Sequence, residues 1–219
     1  SRSTTFLVNV GHGSSVLSIA AGGKVTCVVT TDFLAKCWGN NANGQLGQQI
    51  DTGVLLPMQV SPINLGQGVR VQKIAVGEQA CCALVLAPSG VPAVKCWGQG
   101  EFLGYGDTVT RGKASSSSST TSRMGDFLPY VDLGLDAVQE GEWVVDITRV
   151  TQNGWCVVTT LGRAKCWGQT ADARVFGGSD TGAMLVGNTA RQMGSNLAFL
   201  SISIESHVSG AVKEAFTNE

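Results

Sequence analysis

Seven cysteines are the residues in this sequence best equipped for chemistry, since a thiol can form a disulfide, bind a metal or act as a nucleophile. Six of them form three pairs. Cys27 and Cys37, like Cys156 and Cys166, stand ten residues apart, whereas Cys82 and Cys96 stand fourteen apart. A hairpin with a short loop places the ten-residue pairs directly opposite, at a Cα separation of roughly 4.5 to 5.5 Å that a disulfide bridges. Cys82 and Cys96 face each other in the same way if the four added residues, within APSGVPA, bulge outward. The loop Thr160-Leu161-Gly162 ends on a glycine suited to a left-handed position, but Phe33 stands there in the first pair and implies a different or strained turn. Cys81 adjoins Cys82 and so points to the other face of its strand, as a buried thiol or an intermolecular link. Zinc is disfavoured because no Cys-x-x-Cys pair is present. Three disulfides at Cys27–Cys37, Cys82–Cys96 and Cys156–Cys166 place the protein in an oxidising compartment, and a secreted, extracellular location follows.

Little else in the sequence points to catalysis. His12 and His207 are the two histidines, and Glu78, Glu101, Asp107, Asp126, Asp132 and Asp146 are scattered singly, without an acid-base signature. The glycine-rich stretches at 11 to 13 and 98 to 104 lack the strand-to-helix setting that cradles phosphate. The expectation is therefore no enzyme, no metal and no cofactor. A formal charge of -1 with 14% charged residues gives no field for nucleic acid. No apolar run reaches the 18 to 20 or so residues of a membrane span, and SRSTTFLVNV lacks the order of a secretory signal, so a secreted chain is expected to be in its mature form.

The elements that position the cysteines come from a repeat. Lys-Cys-Trp-Gly occurs at Lys36 to Gly39, Lys95 to Gly98 and Lys165 to Gly168, and each copy follows an apolar run holding the partner cysteine: TCVVT, CCALVLA and WCVVT. Upstream lie the alternating runs VLSIAAGG, VQKIAVGEQ and VVDITRVTQNG. Before these stand FLVNVG, MQVSPINLG, LPYVDLG and, near the end, LAFLSI, the last two preceded by MGDF and MGSN. Each unit is thus read as four strands. With 29 glycines at the turns, the fold class is all-β, an array of four-stranded antiparallel blades, about three and a half in number. The blades are assigned to 1–56, 57–123, 124–190 and, partially, 191–219. Ser115, Ser116, Ser117, Ser118, Ser119, Thr120, Thr121 and Ser122 form a loop insertion, either a plain surface loop or a carrier of O-glycan. No Asn-x-Ser/Thr acceptor occurs.

The order of cysteine strand, turn, Lys-Cys-Trp-Gly and Asn-Asn-Ala-Asn-Gly-Gln-Leu-Gly, best kept from Lys36 to Gly47, resembles the repeats of the regulator of chromosome condensation family. The third copy departs, reading QTADARVFGGSD after its tetrad, and the second reads QGEFLGYGDTVT. The resemblance implies a β-propeller in which Trp38, Trp97 and Trp167 pack between blades, and its cysteine-rich form resembles secreted members. A ring of that kind needs more blades than this chain holds, so other copies of itself or the rest of a longer chain are the expected partners. The leading function is a secreted, non-catalytic structural protein that builds an extracellular layer or filament. The alternative is a protein-binding propeller that acts as an enzyme inhibitor or receptor-like module.

Overall fold

The computed structural model describes residues 14–51, 53–114, 123–135, 141–176 and 184–200. The alternating and cysteine-bearing runs form strands, and glycine-rich turns join them. Blade 1 holds β1 (Val16–Gly22), β2 (Val25–Thr30), β3 (Ala35–Asn40) and β4 (Val54–Leu55), hydrogen-bonded in chain order. Blade 2 holds β5 (Arg70–Val76), β6 (Ala80–Leu86) and β7 (Pro92–Gly98), and blade 3 holds β8 (Val144–Arg149), β9 (Asn153–Thr159), β10 (Ala164–Thr170) and β11 (Met184–Val186). Every strand pair is antiparallel and joins sequence neighbours. The described residues form no α-helix, only short 3-10 turns. The blades stand side by side, with β5 packed against β1 on one side and β8 on the other at their inner edges. Each of these inner strands carries the same bulge, one residue after Val16, Val71 and Val144.

Three local features differ from the sequence expectation. MQVSPINLG and LPYVDLG are not strands. After a 3-10 turn that takes in Met58 and Gln59 of the first, they run as extended straps between blades: Ile63 N–H donates to the Ala35 carbonyl at 2.8 Å, and Val131 N–H donates to the Val94 carbonyl at 2.8 Å. Leu200 N–H reaches the Ala164 carbonyl in the same way, so the described part of LAFLSI is a third strap. Straps alternate apolar and polar residues as strands do because they also bury every second side chain, with Ile63 and Leu65 inside and Asn64 outside. The fourth strand of blades 1 and 3 lies instead downstream of the Lys-Cys-Trp-Gly strand. In blade 2 its place is taken by a single bridge between Gly98 and Arg111.

The four extra residues between Cys82 and Cys96 do not bulge. They lengthen the ladder by two pairs, so that blade 2 closes at Leu86–Pro92 where blade 1 closes at Val29–Ala35 and blade 3 at Val158–Ala164. The loop beyond is the same in all three. Thr30, Ala87 and Thr159 each donate N–H to the carbonyl four residues on, at 2.9 to 3.0 Å, and Phe33, Gly90 and Gly162 each take a positive φ. Phe33 at φ 61° pays the left-handed penalty of roughly 1 to 2 kcal/mol. Blade 2 holds it there, since Val71 N–H donates to its carbonyl at 2.8 Å and Arg70 stacks on its ring at 3.8 Å.

The core divides at the seams between blades. Leu46, Val71, Ile74, Cys81, Trp97 and Met124 fill the seam between blades 1 and 2. Phe102, Leu103, Ile147, Trp155, Trp167 and Met193 fill the seam between blades 2 and 3.

Candidate functional site

The cysteines sit on the second and third strands of each blade. Cys27 pairs with Cys37, Cys82 with Cys96 and Cys156 with Cys166 as directly opposed residues, and each pair is disulfide-bonded with Cα atoms 4.1 Å apart. Cys81 is a buried free thiol opposite Trp97, and burial pushes its pKa up to about 12. It faces the first seam while Cys82 faces the second. Such a thiol stays protonated and is poorly reactive at neutral pH.

The tetrad residues join the blades. Trp97 and Trp167 are fully buried at successive seams, and Trp38 is half-buried against the first. Trp97 Nε1 donates to the Gln45 carbonyl of the previous blade at 2.9 Å. Gly47 and Gly104, at φ 66° and 76°, let the loop of one blade lie on the indole of the next. A Cβ on Gly47 would come within 3.1 Å of Trp97 Nε1, and one on Gly104 within 2.6 Å of Trp167 Nε1. The tetrad lysines reach the straps. Lys95 Nζ donates to the Leu65 carbonyl and Lys165 Nζ to the Leu133 carbonyl, each at 2.6 Å, beneath the rings of Tyr130 and Phe199. Burial lowers both lysine pKa values, and Asp126 and Glu142 respectively counter the shift.

Trp155 was not singled out by the sequence, although it precedes Cys156 where Cys81 precedes Cys82. Its Nε1 donates to the Phe102 carbonyl at 3.0 Å. Phe102 and Gln45 stand two residues before the equivalent glycines, Gly104 and Gly47, so Trp155 takes the acceptor that Trp97 takes at the first seam. Among the described residues Trp167 Nε1 finds no partner, although it is buried.

The scattered acidic residues serve local contacts. Asp146 pairs with Lys73 at 2.6 Å across the inner strands, and Asp126 accepts from Gln67 N–H at 2.7 Å. Asp132 Oδ1 accepts from Gly134 N–H at 2.9 Å. Asp107 grips Arg111 through both oxygens, at 3.0 and 2.9 Å. Glu78 and Glu101 lie on exposed turns. Glu142, buried, pairs with Arg163, which holds its carboxyl below the usual range. Among the described residues no three His, Cys, Asp or Glu side chains gather as a metal site, and no helix is long and apolar enough to cross a membrane. His12, His207 and the hydroxyl run from Ser115 to Ser122 lie outside the described residues.

One sheet face differs in exposure from its equivalents. Val16 and Ile19 on blade 1 are 46% and 68% exposed, whereas Val71 and Ile74 on blade 2 are both 3% exposed and Val144 and Ile147 on blade 3 are 2% and 1%. A second apolar group, Val54, Leu56 and Met58, projects from the outer edge of blade 1.

Residues 37–84 match the model of the regulator of chromosome condensation (RCC1) repeat. The matched repeat begins on β3 and ends on β6, so it straddles the first seam. The chain is 29% identical over 102 residues to the ultraviolet-B receptor UVR8 of Arabidopsis thaliana, covering 46% of this chain and 22% of that protein. It is 34% identical over 104 residues to the human E3 ubiquitin-protein ligase HERC2, covering 46% of this chain and 2% of that protein. The chain thus spans less than a quarter of the curated relatives it matches. Human WBSCR16 shares the fold, with a TM-score of 0.57 at 18% identity over 87% of this chain and 41% of that one.

Proposed function

We propose that this array of RCC1-type repeats is a secreted, non-catalytic assembly protein whose blade 1 face receives another blade of the same kind. The supporting observation is the exposure of Ile19 beside the burial of its equivalents Ile74 and Ile147. What covers those two residues is the preceding blade, so the surface complementary to Ile19, Val16 and Trp38 is that of a blade. An exposed apolar sheet face of this kind favours pairing with more protein. That blade belongs to the rest of a longer chain or to a neighbouring copy, and repeated head-to-tail contact between copies generates an open filament or layer. The three disulfides support an extracellular setting, and the composition of the hydroxyl run at 115 to 122 suits O-glycan.

Sedimentation velocity on the chain at micromolar concentration tests the assembly. The wild type is expected to associate, and Ile19→Asp to sediment as a single 22.7 kDa particle. A wild type that is already a discrete monomer, with a sedimentation coefficient unchanged by Ile19→Asp, overturns the reading. The projecting Val54, Leu56 and Met58 favour the second reading, an inhibitor or receptor-like module that grips a different protein through a loop. Retention of such a partner by the wild type but not by Met58→Asp would support it.

A further inference from the structure

Each blade has a front, which meets the blade before it, and a back, which meets the blade after it. At the two seams the fronts carry Val71 and Ile74 or Val144 and Ile147. The backs are built from the first cysteine of each disulfide, the residue paired with it on the inner strand and the residue two further on. These are Ala20, Cys27 and Val29 in blade 1, Ala75, Cys82 and Leu84 in blade 2, and Thr148, Cys156 and Val158 in blade 3. Val29 is fully buried at the first seam and Leu84 is 4% exposed at the second, but Val158 is 41% exposed and Thr148 is exposed beside it. Blade 3 therefore carries an uncovered back, and blade 1, at Val16 and Ile19, an uncovered front.

The turns between the first two strands of each blade repeat the pattern. The blade 2 turn at Glu78 rests on Gly23 of blade 1, where a Cβ would come within 2.9 Å of Glu78 Cα, and Gln45 Nε2 donates to the Glu78 carbonyl at 3.2 Å. The blade 3 turn rests on blade 2 in its turn, accepting from Glu78 N–H at the Gln152 carbonyl at 2.9 Å and from Gln79 N–H at Asn153 Oδ1 at 2.8 Å. On blade 3 the equivalent place is an open cleft of about 370 Å³, lined in part by Gln152, Gln169, Thr170 and Asp172, and none of the described turns enters it. The front of blade 1 is shaped for the same kind of seam. Thr26 faces Trp38 there as Cys81 faces Trp97, so a small side chain again leaves room for one large ring.

We propose that the occupant of the blade 1 front is a second copy of this chain, which covers it with the back of its own blade 3. This rests on the reading above that blade 1 receives another blade, and it names the face that arrives. Val16 and Ile19 of one copy lie on Thr148 and Val158 of the next, and the turn at Gly23 and Lys24 enters the cleft beside Gln152. The contact continues the seams inside the chain, where Ile74 shares the first seam with Val29 and Ile147 shares the second with Leu84. Aliphatic side chains meet aliphatic side chains, and the turn fills the place that a turn fills at both internal seams. Front and back are different surfaces, so every copy in the contact keeps one of each free, and the contact runs head to tail.

Sedimentation velocity on the wild type, Ile19→Asp, Val158→Asp and an equimolar mixture of the two variants tests the pairing. Each variant places a charge in one half of the seam, so each alone is expected to associate about tenfold or more weakly than the wild type. Ile19→Asp keeps an intact back and Val158→Asp an intact front, and their mixture is expected to give a one-to-one complex of about twice 22.7 kDa. If Ile19→Asp abolishes association and Val158→Asp does not, the proposal falls while blade 1 remains an acceptor of some other blade. A mixture that stays monomeric when both variants are monomeric has the same meaning. A monomeric wild type, or association that survives Ile19→Asp, overturns the proposal and the reading beneath it together. Should Val158→Asp melt more than a few degrees below the wild type, Thr148→Arg on the same face replaces it.

Discussion

At the seam between blades 1 and 2 the indole of Trp97 donates to the Gln45 carbonyl, whereas at the next seam the equivalent carbonyl of Phe102 is taken by Trp155 and Trp167 N–H has no partner among the described residues. One substitution between repeats separates the two arrangements. Where blade 3 has Trp155 opposite Trp167, blade 2 has Cys81 opposite Trp97. The first seam holds one large ring and a small thiol, and the second holds two large rings. A repeat therefore conserves the acceptor, while the side chain that fills it depends on which neighbour is large enough to reach.

The largest way to break this comparison is to empty each seam. Trp97→Ala and Trp155→Ala should each lower unfolding stability by about 3 to 5 kcal/mol, because each removes a fully buried indole and strands a carbonyl. Denaturant titration followed by the fluorescence of the remaining tryptophans reads this loss. Losses under 1 kcal/mol would show that the seams are not the core. A smaller probe is the glycine beneath each indole. Gly104→Ala should destabilise by about 1 to 3 kcal/mol and more than Gly47→Ala, since its Cβ presses on the rigid Trp167 ring at 2.6 Å whereas Gly47 first meets an Ile63 methyl at 2.9 Å. Equal thermal shifts for the two variants would contradict the asymmetry. The finest probe isolates the hydrogen bond. Trp97→Phe should cost about 1 kcal/mol more than Trp167→Phe, because only Trp97 loses an acceptor. The reverse order in matched melts would mean that Trp167 has a partner in solution.

The paired cysteines, the tetrads and the strand runs around them were legible because each combines a residue type with a spacing that one geometry satisfies. Cys27 and Cys37 at ten residues fit a hairpin, and the β-branched TCVVT supplies its strand. The straps were misread for a physical reason. Ile63 and Leu65 alternate with Asn64 whether the backbone pairs in a ladder or merely lies across a blade, and only the ladder distinguishes a strand. The true fourth strands, Val54–Leu55 and Met184–Val186, are too short to show periodicity. The four extra residues in blade 2 gave no cue to lengthen the ladder rather than bulge, because Ala, Val and Pro suit either. Arg111 was invisible for the opposite reason. Its role depends on standing opposite Gly98, and no sequence pattern links an arginine after an irregular loop to the aliphatic Leu55 and Val186.

The position of the disulfides has a mechanical consequence. Each bond joins the second and third strands of a blade, so a pulling force applied along the chain can peel away the straps and the strand segments outside the bond but bypasses the hairpin end that the bond encloses. The residues enclosed by each bond, each worth roughly 3.3 to 3.6 Å of contour when extended, stay unavailable to stretching until a reductant acts. Under tension the chain would yield in short steps and stop, its maximum extension set by covalent bonds that keep each hairpin end out of the load path. A reducing environment would remove that limit and turn the same array into a longer, softer tether.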